Sequence, residues 1–179
     1  MARSLVQKAL DSTLKRKHWL RTDRSYLSEQ GRVFSASDRW TIAAGATDYV
    51  EIRIPAGTTM RIYDLSAATG GDPFNIDLVR ADSITQGATE LAHACTNCVI
   101  GDMPQARLYR GASGLTNEQV LEYGFLPAAR GPQSAGAVRV QGVYRIIDGS
   151  VDPTLLRVEN TGGTDRTFNL LAIWSEEYE

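Results

Sequence analysis

Residues 49–65 read YVEIRIPAGTTMRIYDL, and the periodicity of this stretch decides the fold class. Val50, Ile52 and Ile54 alternate with Glu51 and Arg53, the two-residue period of a strand with one face toward a core and the other toward water. Pro55-Ala56-Gly57 is a tight-turn signal, and beyond it Met60 and Ile62 alternate with Arg61 and Tyr63. Two alternating runs across so short a turn predict a hairpin over residues 49–64.

Outward from this stretch the same period recurs. Thr69 to Pro73 is a turn signal, and Phe74, Ile76 and Leu78 alternate with Asn75 and Asp77 to predict a third strand. Within 137–147, Val138 and Val140 alternate with Arg139 and Gln141, and Gly142 stands where a bulge would interrupt a long strand. Asp148-Gly149 is a turn dipeptide. Leu156 and Val158 alternate with Arg157 and Glu159, Thr161 to Thr164 turns the chain, and residues 166–175 form a closing strand before an acidic tail, Glu176 to Glu179. Residues 83–132 are less regular: Cys98–Ile100 and Arg107–Tyr109 read as short strands, and Leu115–Phe125 as one helical turn or a loop. The sum is about eight strands divided by Gly, Pro and Asp turns, with no β-α rhythm, which predicts an all-β antiparallel β-sandwich of jelly-roll-like topology.

The N-terminus follows a different rule. Residues 1–24 hold seven Lys/Arg against two Asp, and every lysine, Lys8, Lys15 and Lys17, lies there; residues 25–179 hold twelve Arg against nineteen Asp/Glu. Leu5, Val6, Ala9, Leu10 and Leu14 recur at helical spacing and run into Lys15-Arg16-Lys17-His18-Trp19, where cations complement a helix C-terminus. This predicts a basic amphipathic helix and a polar connector around 25–38, so that residues 1–38 form a docking arm and 39–179 the sandwich domain. A helix of this length needs a surface for its apolar stripe. That surface is either the chain's own body or another subunit, with Leu5, Leu10 and Leu14 as the stripe and Lys15, Arg16, Lys17 and Trp19 as the anchor. One basic cluster on a net-acidic chain is a thin footprint for nucleic acid, which is not the expected partner.

Composition excludes several classes. With 42% hydrophobic and 22% charged residues the chain is of ordinary globular make-up. Its apolar runs are a few residues long, so no membrane span is expected, and the basic N-terminus lacks the apolar run and cleavage site of a secretory signal.

Catalytic and metal motifs are sparse. Cys95-Thr96-Asn97-Cys98, with His93 beside it, supplies two ligands where a structural zinc takes four; shielded thiols, a local disulfide and a half-site shared across a symmetric oligomer remain open readings. No GxSxG, P-loop or HExxH is present. No catalytic residue, metal or cofactor is expected, and the chain reads as a non-enzyme. Trp40, Trp174 and the seven tyrosines raise a carbohydrate-stacking face as an alternative to core packing. The arginine-for-lysine bias of the body suits interface ion pairs, or reflects the codon drift of a GC-rich genome.

Three segments, IPAGTTMRIYD at 54–64, FNIDLVR at 74–80, and LLRVENTGG at 155–163 leading to LAIWSEE at 171–177, together resemble a diffuse family of small virion proteins of tailed bacteriophages. The resemblance spans about residues 48–179 and departs at Ala92 to Cys98. It implies a structural part of a phage particle, assembled in the host cytoplasm: a homo-oligomeric sandwich, dimer or trimer, that decorates or cements the capsid by binding the major capsid protein or other virion subunits. A tail or fibre-base component is the alternative location, and a carbohydrate-binding module the alternative class.

Overall fold

The alternating runs form strands because each places branched or aromatic side chains on one face of a pleat and polar ones on the other. The computed structural model describes residues 32–69, 73–95, 103–126, 137–139, 145–149 and 153–178. Among these it holds fifteen strands: β1 Val33–Ile42, β2 Thr47–Arg53, β3 Thr58–Thr69, β4 Phe74–Arg80, β5 Ser83–Thr85, β6 Thr89–Glu90, β7 Ala92–Cys95, β8 Arg107–Arg110, β9 Ser113–Thr116, β10 Gln119–Glu122, β11 Phe125–Leu126, β12 Ala137–Arg139, β13 Arg145–Asp148, β14 Thr154–Asn160 and β15 Arg166–Tyr178. The protein is all-β, and the strand pairs of its sheets are antiparallel.

Two sheets carry the fold. The first runs β12-β3-β15-β1-β7, with β13 also on β3; the second runs β10-β4-β14-β2-β8-β6, with β11 also on β4. Their inner faces share one core. Phe34, Trp40, Met60, Phe168 and Trp174 of the first sheet and Val50, Phe74, Leu108 and Leu156 of the second belong to a single buried cluster. Phe168 joins the layers, with its ring 5.5 Å from Phe74 and 5.0 Å from Trp40. Full burial of each such side chain is worth about 1.5–3 kcal/mol.

The pairing is nested. β1 pairs β15, β2 pairs β14, β3 pairs β12 and β13, and β4 pairs β10 and β11. The chain from β1 to β4 therefore changes sheet at every connection, which corrects the hairpin expected over 49–64. β2 lies on β14 and β8, while β3 lies on β15, β12 and β13. Pro55 to Gly57 does turn the chain, with Gly57 at φ 77 and the Thr58 amide donating to the Pro55 carbonyl at 3.1 Å. It delivers β3 to the opposite layer because Val50 and Ile52 bury themselves against Met60 and Ile62 across the core. The 161–164 turn likewise crosses between sheets instead of closing a hairpin.

Further expectations are corrected. The connector expected over 25–38 gives way at Val33 to β1, whose Val33, Phe34 and Ala36 are buried, so the expected arm-body boundary at 38/39 falls inside a strand. Leu115–Phe125 holds the end of β9, all of β10 and the start of β11, not a helical turn. β12 and β13 both lie on β3, and the bulge expected at Gly142 falls outside the described residues. Glu176 and Glu177 belong to β15, not to a tail. Between β4 and β10, β8 and β6 widen the second sheet and β7 widens the first. The β5-β9 ribbon packs Ile84 and Leu115 against Val79 and Leu155.

Candidate functional site

Leu5, Leu10, Leu14, Lys15, Arg16, Lys17 and Trp19, the residues expected to dock the arm, lie outside the described residues, as does the predicted helix. What the structure does place is the point where that segment joins the body. Val33 pairs with Ser175, and the Arg32 carbonyl accepts from the Glu176 amide at 3.2 Å. The N-terminal segment thus enters at the end of the first sheet beside the last residues of β15.

That end is built around a carboxylate. The inward series Phe168, Leu170, Ala172 and Trp174 continues in phase to Glu176, which is completely buried. Its oxygens accept from the Gln105 amide at 2.9 Å, the Ala106 amide at 3.0 Å and the Trp174 indole N–H at 3.0 Å. Hydrogen bonds to a charged acceptor contribute about 1.5–3 kcal/mol each when buried, so Glu176 pins the loop before β8 across the end of the sandwich. Thr58 Oγ1 adds a hydrogen bond to Gln105 Oε1 at 3.0 Å, and outward-facing Glu177 pairs with Arg61 at 2.8 Å. Met103, in the same loop, is 57% exposed. The sequence carried a signal for Glu176: the two-residue phase from Phe168 runs through it without a break.

His93 completes this end. Its ring stands edge-on to Trp174 at 5.9 Å, and its Nε2 accepts the Leu108 amide at 3.0 Å. Burial, then the Arg107 guanidinium, lowers its pKa below the ordinary 6.5, against the smaller opposing pull of Glu90, the Leu91 backbone and Glu176. With Nε2 occupied by a backbone donor, the imidazole positions β8 and has no lone pair to offer a metal or a substrate proton. Cys95 ends β7 half-buried, and Cys98 lies outside the described residues.

The aromatic and arginine readings resolve at named positions. Trp40 and Trp174 are core residues, so neither presents a face for sugar stacking. Arg53 holds Glu51, Arg107 holds Glu90, Arg110 holds Asp38, and Arg157 holds both Asp77 and Glu118, each within this chain. Arg53 also lies 4.0 Å over the Tyr109 ring. On the outer face of the second sheet, Tyr49 donates to Glu118 at 3.1 Å, and burial followed by that carboxylate raises its pKa. These pairs brace strands, and the arrangement holds layers and loops in place. Comparison with protein-family models, curated proteins and solved structures finds no match for this chain.

Proposed function

We propose that this chain is a non-enzymatic structural subunit of a bacteriophage virion, a capsid decoration or cement protein with a jelly-roll β-sandwich body and an N-terminal docking arm. The nested strand pairing carries the reading. With β10 and β11 taken as one strand and β12 and β13 as another, eight strands pair first with last, second with seventh, third with sixth and fourth with fifth, the wrapped double Greek key used by viral capsid and lectin domains. Burial of Trp40 and Trp174 takes two of the candidate stacking rings out of a lectin-like face, although Tyr123 stays exposed, and weighs toward the virion branch. Because fold alone does not dictate function, the basic segment ahead of β1 supplies the second support: it contrasts in charge with the body and joins it at the braced Glu176 end.

The test is particle loading. Full-length protein and protein lacking residues 1–24 are sized by light scattering and mixed with undecorated phage capsids. The expected result is a dimer or trimer that loads onto shells full-length and fails to load when truncated, with the β circular-dichroism signal retained. Equal loading by the truncated protein, or no loading by either, overturns the proposal.

A further inference from the structure

Between the free edges of the two sheets lies a cleft of about 340 Å3, lined by Leu78, Arg80, Leu121, Ile146, Ile147, Asp148 and Thr154. It opens where β10 ends one sheet and β13 borders the other. Leu78 and Ile147 form its floor as members of the core, while Leu121 and Ile146, 40% and 57% exposed, stand at its rims. The described walls are mixed, four aliphatic side chains beside Arg80, Asp148 and Thr154, and the volume falls in the range of roughly 300–1,000 Å3 typical of small-ligand sites.

Arg80 is the anomaly. It follows Phe74, Ile76 and Leu78 in the inward phase of β4, so a guanidinium stands where the strand's pattern would place another core residue. Its Nε is buried and meets no hydrogen-bond acceptor, a property it shares with Arg61 and Arg110. Arg53, Arg61, Arg107, Arg110 and Arg157 all hold carboxylates in this chain; Arg80 makes no ion pair among the described residues. Asp148, on the same cleft, is not without a partner. A desolvated donor without an acceptor costs about 1–3 kcal/mol, and Arg80, unlike Arg61 and Arg110, has no ion pair among the described residues to offset it.

We propose that this cleft binds a carboxylate carried on an apolar stem, with the Arg80 guanidinium taking the carboxylate and Leu78, Leu121 and Ile147 the stem. A planar carboxylate matches the arginine fork through two parallel hydrogen bonds. Among the described lining residues Arg80 is the one cation, set beside four aliphatic side chains as well as Asp148 and Thr154, and this suits one negative charge on a hydrocarbon better than a multiply charged, heavily hydrated phosphate. Free aliphatic acids and the apolar C-terminal residue of a peptide share this chemistry. The site stands whether or not the chain belongs to a virion.

The test titrates the full-length protein by calorimetry with octanoate, N-acetyl-leucine, 1-octanol and octylamine. Saturable one-site binding of octanoate or N-acetyl-leucine is expected, at least about tenfold weaker for the alcohol and the amine and in Arg80→Met, since each tenfold corresponds to one lost interaction of about 1.4 kcal/mol. The stronger of the two acids identifies the source. Arg80→Met is expected to melt no lower than the parent, because the cation removed makes no ion pair among the described residues, whereas an arginine kept for structure would be missed. Leu121→Asp, at an exposed rim position, supplies an internal carboxylate and is expected to abolish octanoate binding in a folded protein. No saturable binding of either acid, or undiminished affinity in Arg80→Met or Leu121→Asp, overturns the assignment.

Discussion

A carboxylate that water cannot reach has to be met by donors, and Glu176 is met by two backbone amides and an indole N–H. Asn160 solves the same problem at another inter-sheet crossing. Fully buried, it donates to the Ile42 and Thr164 carbonyls at 3.0 and 2.9 Å and accepts the Gly162 amide at 3.0 Å, tying the 161–164 turn to the end of β1. His93 is the residue whose environment has a pH consequence. Its folded pKa lies below the ordinary 6.5 because burial and Arg107 disfavour the imidazolium, so the unfolded chain binds the proton more readily. The stabilising effect of the neutral ring is complete above the unfolded pKa and is lost as pH falls. The urea midpoint is therefore expected to drop between about pH 7 and about pH 5.5, and to drop less in His93→Gln, whose amide oxygen can still accept the Leu108 N–H. Coincident slopes for the two proteins would assign the titration elsewhere.

At the scale of elements, the connections matter as much as the strands. Each step from β1 to β4 carries the chain across the core, and the crossing at 54–57 passes directly over the end of β13. Gly149 sits there, donating its amide to the Thr58 carbonyl at 3.1 Å, and a methyl in place of its hydrogen would overlap the Pro55 carbonyl oxygen. Gly149→Ala is expected to lower the unfolding free energy by about 3 kcal/mol, since backbone cannot yield as a side chain does; a loss under about 0.5 kcal/mol in urea titration would mean that the crossing is not packed this way. Asp148-Gly149 was legible as a turn. That its glycine is needed for a close approach, with no positive φ, was not, because the neighbour is Pro55, over ninety positions away in sequence. The irregular middle illustrates the same limit. β5 to β9 are two to four residues long, too short for a two-residue period to stand out; β7 and β8 add to the edges of β1 and β2, β6 adds to β8, and β5 and β9 pair with each other.

For the whole molecule, the decisive fact is that the first and last described strands are central partners. β1 pairs with β15 over ten positions, from Val33 with Ser175 to Ile42 with Arg166. Such non-local pairing places the closing step late and predicts slow folding for the size. It also sets where the body begins. Removal of residues 1–31 is expected to leave a cooperative thermal transition, whereas removal of residues 1–42 takes away Phe34, Trp40 and the partner of β15 and is expected to abolish it. A cooperative transition in the shorter chain, or none in the longer, would contradict this boundary.

The sequence by itself determined where most long strands lie and which side chains of each face inward, because alternation along a pleat is a local property of a few consecutive residues. It also carried the contrast between a basic N-terminus and an acidic body. Only the tertiary structure decided that β2 and β3 belong to opposite sheets, that Glu176 is an interior residue beneath the 103–106 loop, and that Arg80 lines a cleft and makes no ion pair among the described residues. Each of these depends on what lies opposite across the core. Pairing and burial are set by side chains that meet from distant positions, where hydrophobic contact is non-directional and a polar group's cost depends on whether a partner arrives.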